Sequence, residues 1–191
     1  HATIRRQRQM CIRDRCLAGL SGILLTGDAF NLFVFLEVSS LATYTLVSLA
    51  SDRRCLVAAF RYLMMGTIGA TFILIGVGML YMKTGTLNML DLASRIDLYD
   101  SSRTINSGLA FIMVGVSIKL ALFPLHMWLP PAYTHAPSAV SAFLAGTATK
   151  VAVYVMIRFI FTVFGVNHVF EEMGMDLILI CLLYTSDAAD E

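Results

Sequence analysis

The sequence predicts an all-α bundle of membrane-spanning helices. Three observations predict it: 58% hydrophobic residues against 14% charged, a mean hydropathy of +0.75, and repeated apolar runs of the roughly 20 residues that a helix needs to cross the hydrocarbon core. About four full spans fit the chain, together with truncated ends, and one span is broken at Pro124.

The two ends do not share that character. Residues 1–15 are mostly polar or basic and residues 181–191 end in an acidic tail, a pattern that would suit a nucleic-acid or headgroup contact and a solvated tail. Their coding relation points elsewhere. Write Cys181–Asp190 as TGT CTC TTA TAC ACA TCT GAC GCT GCC GAC; the reverse complement of that DNA, extended by GA, then spells Arg5–Asp14 in one frame. Opposite ends of a natural protein have no physical reason to be reverse complements, so both are read as translated transposase-adapter DNA and set aside from fold reasoning. The working unit is then residues 16–180. It loses Arg5, Arg6, Arg8, Arg13 and Arg15 of 14 basic residues and Asp14, Asp187, Asp190 and Glu191 of 13 acidic ones, leaving 9 of each. Cys16 and Cys55 remain, too few and too scattered for a disulfide framework or a metal site.

The elements follow in order. Cys16–Thr26 reads as the end of a truncated span, and the Gly27-Asp28 pair breaks it. Ala29–Ala50 is a full span holding one charge, Glu37. The segment Ser51–Arg61 carries Arg53, Arg54 and Arg61 and reads as a loop facing the cytoplasm. Tyr62–Met82 spans again, with Gly66, Gly69, Ala70, Gly76 and Gly78 offering small faces for close packing. These glycines are not a nucleotide-binding fingerprint, because no strand precedes them. Lys83–Ser107 is polar and lies outside, with Asn88 placed to cap a short helix through LNMLDLASRI. Gly108–Trp128 and Ser138–Phe161 are further spans, and after a polar turn through Asn167–Asp176 another begins at Leu177. Neither a soluble domain nor an obvious repeat is visible.

Glu37, Lys119 and Lys150 all lie well inside apolar runs, where each charge costs about 2.5–3.5 kcal/mol on insertion scales and calls for a partner or a wet cavity. Ser40, Tyr44 and Ser48 follow Glu37 at helical spacing, and Gly146, Thr147 and Tyr154 share a face with Lys150, so hydroxyls and waters have routes along both helices. Pro124 has no N–H for the Leu120 carbonyl, so the helix is expected to break there and free that carbonyl beside Lys119. Broken helices at membrane depth often mark an ion site. A bend would let His126 approach the same cavity as Lys119. The plainer alternatives are a snorkelling or structurally paired Lys119 and a headgroup-facing His126. His135, His168 and Trp128 read as loop or interface residues, and no haem, iron–sulfur or zinc spacing is present.

The runs FNLFVFLEVSSLATY, LYMKTGTLNMLDLA and KLALFPLHMWLPPAYTHAPSAVSAFLAGTATKVAVY closely resemble the proton-antiporter-like membrane subunits shared by respiratory complex I, membrane-bound hydrogenases and Mrp-type cation/proton antiporters. The likeness covers about Asp28 to Gly165, and TGTLNM with APSAVSAF is nearest to the D-type subunits of Mrp antiporters. That resemblance implies a subunit of two inverted five-helix repeats, of which this chain holds most of the first. It implies that Glu37 is the family's intramembrane glutamate, Lys119 the lysine of the broken helix and Lys150 the next lysine on a central proton path. Pro131 departs from the acidic residue that relatives commonly carry after WLP, which bears on a cytoplasmic loop contact.

The expected chemistry is a switchable pair. A glutamate beside Lys119 favours the ammonium, and withdrawing it lets desolvation favour the neutral amine, so a proton passes toward Lys150. As an antiporter subunit the protein would exchange Na⁺ or K⁺ for protons beside other membrane subunits in a prokaryotic inner membrane. As a subunit of NADH-quinone oxidoreductase or of a hydrogenase it would pump protons on redox energy generated elsewhere, and only then form part of an enzyme. Either way no cofactor, metal or nucleic acid is expected on this chain.

Overall fold

The computed structural model describes residues 2–49, 53–96, 98, 102–166, 168, 169 and 180, and its regular elements are helical. They are α1 (Ala2–Leu25), α2 (Ala29–Ser48), α3 (Arg53–Thr84), the short α4 (Met89–Ile96), α5 (Arg103–Leu120), a 3₁₀ turn (Leu125–Trp128), α6 (Leu129–His135) and α7 (Ser138–Ile157), which runs on as a wider π-helix over Arg158–Phe164.

Three of these stretches, Ala29–Ser48, Arg53–Thr84 and Ser138–Phe164, are long and apolar enough to cross a membrane. A fourth span is the pair Arg103–Leu120 and Leu125–His135, bent by about 40° at the break. The expected loop Ser51–Arg61 is corrected from its third residue onward: Arg53, Arg54 and Arg61 stand on the first turns of α3. No proline interrupts Arg53–Thr84, so nothing stops the helix from running past the apolar run at its basic end. Likewise α5 begins at Arg103, earlier than the expected Gly108. The turn expected at Asn167–Asp176 falls mostly, and the span from Leu177 almost wholly, outside the described residues. None of residues 7–15 of α1 is fully buried, whereas Cys16, Leu20 and Ile23 are in the core.

Small residues set the tightest helix contact. On α3, Gly69 faces Gly115 of α5, and seven residues along each helix Gly76 faces Gly108, so the pair is antiparallel. A Cβ on Gly76 would lie 2.6 Å from the Gly108 carbonyl oxygen, which shows how close the two backbones come. Gly78, by contrast, faces open space.

Two turns tie one end of the bundle together. Asp28 caps α2 by accepting from the Asn31 amide at 2.8 Å, and Asn88 caps α4 by accepting from Leu90 at 3.0 Å. Between them the Ala29 amide donates to Leu87 O and the Met89 amide to Gly27 O, at 2.9 and 2.8 Å. This fixes where α2 starts, and hence the height of Glu37.

Candidate functional site

Glu37 of α2 and Lys119 of α5 meet inside the bundle. Lys119 Nζ lies 3.1 Å from Glu37 Oε1, and the lysine side chain is only 8% exposed against 24% for the glutamate. Nζ also donates to Ser40 Oγ at 2.8 Å. Ser40, one turn beyond Glu37 on the same face, therefore closes a three-residue site in which a buried cation has two oxygen partners.

The helix carrying Lys119 ends immediately after it. Ala121 takes the left-handed conformation, φ 58°, which terminates α5 in the manner of a helix C-cap. The break thus begins before Pro124, and Pro124 instead precedes the 3₁₀ turn, after a cis Phe123–Pro124 bond. Carbonyls one turn before the break take donors from beyond the end of the helix, while Leu120 O, the one expected to be freed, receives none from Pro124. Leu122 N donates to Ser117 O at 3.0 Å, and Ile118 O accepts both from Ala121 N at 3.2 Å and from the Trp128 indole N–H at 3.0 Å.

Beside Lys119 lies a cavity of about 30 Å³, bordered on its polar side by Lys119, Ser39, Ser40, Thr43 and Tyr62 and on its apolar side by Ala148, Val151 and Ala152 of α7, among others. It is large enough for a water molecule, which needs at least about 10–15 Å³ on this measure and two or more polar partners. Tyr44 is buried with its hydroxyl over Gly66, where any side chain would collide with it. That hydroxyl lies near Ser40 without a hydrogen bond of good geometry.

Other expected members stand apart. Ser48 donates to the carbonyl of Thr45 and takes no part in the site. Lys150 is exposed on α7, within the least buried of the three unbroken spans, and has no ion pair or hydrogen bond among the described residues. Gly146 beside it is also exposed, Thr147 donates to Phe143 O, and the Tyr154 hydroxyl lies 3.4 Å from Leu24 O. His126 stacks on Phe123 and does not border the Lys119 cavity, so the bend does not bring it to the lysine.

Three residues matter more than their sequence suggested. Trp128, expected at an interface, is 4% exposed and stacks face to face on Tyr62 at 4.3 Å. Tyr62 also meets Thr43 at 3.3 Å through its hydroxyl and Tyr44 edge-on. Arg158 is a further ionisable group inside the span Ser138–Phe164, over the Tyr154 ring at 5.9 Å, with one guanidinium nitrogen buried and unpartnered. Its spacing of four from Tyr154 and eight from Lys150 was legible on the helix; the burial of Trp128 was not.

The family model described as NADH:quinone oxidoreductase/Mrp antiporter, transmembrane, matches residues 26–190. The chain belongs to this family. It is a multi-pass membrane protein of the antiporter-like kind, as its spans and relatives agree. Within the family it is 51% identical over 146 residues to the NADH-quinone oxidoreductase subunit N of Desulforudis audaxviator, covering 76% of this chain and 29% of that protein. It is 38% identical over 152 residues to the D-type Na(+)/H(+) antiporter subunit of Alkalihalophilus pseudofirmus, covering 80% and 30%. A chain in the solved Mrp complex from Dietzia sp. DQ12-45-1b superposes with a TM-score of 0.72 at 33% identity, over 78% of this chain and 28% of that one. The chain thus spans under a third of the length of these family members.

Proposed function

We propose that the chain is part of a proton-translocating membrane subunit of a multisubunit monovalent cation/proton antiporter. One observation carries this: a buried Glu37–Lys119 ion pair, 3.1 Å apart, at the break of a membrane helix. Such a pair is expensive to maintain for stability alone, because well-packed apolar residues of similar volume do as well or better. A proton carrier gives it a purpose.

With Glu37 close, the ammonium of Lys119 is held by charge and by Ser40. Moving the carboxylate away leaves a buried cation with neutral hydroxyls as its partners, and shedding its proton then relieves the cost of desolvation. The adjoining cavity supplies room for a water to receive that proton, and its α7 wall leads toward the helix that carries Lys150. Lys150 is then the next acceptor, screened by chain or partner subunits that pack on the open side of α7. Other membrane subunits, the bilayer of a prokaryotic inner membrane, protons and either Na⁺ or K⁺ are the partners of this reading.

The 51% identity to a protein named NADH-quinone oxidoreductase subunit N favours a second host for the same machinery, a redox-driven pump. Two measurements separate the cases. In the full-length protein Lys119→Ala should abolish proton-coupled transport while the complex still assembles; transport at the wild-type rate rules out both readings. Proton movement in membrane vesicles that answers to an imposed Na⁺ or K⁺ gradient identifies the antiporter. Movement that requires a respiratory electron donor identifies the pump.

A further inference from the structure

Trp128 lies beyond the helix break, yet its indole is bound to the turn that carries Lys119. Its N–H donates to Ile118 O at 3.0 Å, the carbonyl of the peptide unit whose nitrogen belongs to Lys119. The same carbonyl already accepts from Ala121 N at 3.2 Å, so its lone pairs are engaged by the cap of its own turn and by a donor from beyond the break. The indole is held in turn by its parallel stack on Tyr62 of α3, with 4° between the rings. Tyr62 meets Thr43 of α2, which follows Ser40 by one turn. The last turn of α5 is thereby fixed to α2 and α3, the helices that form the rest of the site.

We infer that Trp128 is a positioning residue for Lys119: its N–H clamps the broken end of α5 so that the ammonium stays within reach of Glu37 and Ser40. Without the clamp the last turn is tied to the connection only by the Ala121 and Leu122 amides next to it, and Lys119 samples headings that lengthen its bond to Glu37. Pro124 prevents helix from re-forming across the gap, but it supplies no donor to hold the end in place. The side-chain donor that ties this turn to α3 is the indole.

This inference rests on the proposed role of Lys119 in moving protons. Its test uses the full-length subunit in its complex, with Trp128 replaced by benzothienylalanine, which keeps the shape and stacking of indole but has no N–H. Loss of one hydrogen bond of ordinary net strength corresponds to about a two- to tenfold fall in the rate of proton movement. That fall should come with a displaced pH optimum, an unchanged amount of assembled complex and an unchanged KM for the driving ion or donor. Trp128→Phe, which keeps a stacking ring on Tyr62, should do the same. A wild-type rate and pH profile in either variant overturns the clamp. If Lys119→Ala retains transport, the proposed function itself fails; if it abolishes transport while the isostere behaves as wild type, only the clamp does.

Discussion

Glu37→Gln removes one charge from a pair whose N···O distance is 3.1 Å. At an effective dielectric of about 20, unit charges at that distance attract by about 5 kcal/mol. A net cost of about 3 kcal/mol is expected, because the Lys119 ammonium stays buried with Ser40 as its one strong partner. Removing both charges in Glu37→Gln/Lys119→Met leaves no unpaired ion, and the double variant should recover at least about 2 kcal/mol relative to the sum of the single ones. The assay is equilibrium unfolding of the purified full-length subunit in mixed micelles titrated with SDS, on all four members of the cycle. Additive costs would show that the two side chains do not interact and would refute the pairing on which the site is built.

Gly115→Ala places a methyl 2.5 Å from Gly69 O and 2.9 Å from Ile73 N, so α3 and α5 must separate, at about 1–3 kcal/mol in the same unfolding assay; Gly78→Ala meets nothing and should be neutral or slightly stabilising. Ala121→Gly should be close to neutral, since relief of about 1 kcal/mol of left-handed strain offsets a buried methyl worth about 0.8 kcal/mol, whereas Ala121→Val should cost about 2 kcal/mol or more. At the capped end, the hydrogen bond from Arg95 and then that from Thr86 hold the Asp91 carboxyl below its usual range. Its contribution is complete above the ordinary carboxylate value and fades as pH falls through the lowered one, so the protection of the Leu90 and Asp91 amides against hydrogen exchange, measured relative to their intrinsic rates, should fall only in acid.

Much of this was readable from the chain. Spans at Ala29, Tyr62 and Ser138 followed from apolar length, the break at Gly27-Asp28 and the cap at Asn88 from residue type at a helix end, and the placing of Glu37, Lys119 and Lys150 within spans from charge inside apolar runs. The α3 boundary was misplaced because arginines read as loop when hydropathy alone is weighed, although they are good helix formers. His126 was drawn toward Lys119 by counting residues along a helix that stops at Leu120. The break was assigned to Pro124, the residue with an obvious chemical reason, while the chain had already turned at Ala121.

The sequence by itself determined that helices cross a membrane and that charged side chains sit inside it, because burying apolar length and bearing the cost of a charge are properties of single segments. Only tertiary structure decided that Glu37 and Ser40 converge on Lys119, that Lys150 stands apart on α7, and that the Trp128 N–H reaches the carbonyl of Ile118. Those contacts depend on the rotation and height of one helix against another. Backbone contact at Gly69–Gly115 and Gly76–Gly108, together with the bonded turns at Asp28 and Asn88, sets both, and no stretch of sequence contains that geometry alone.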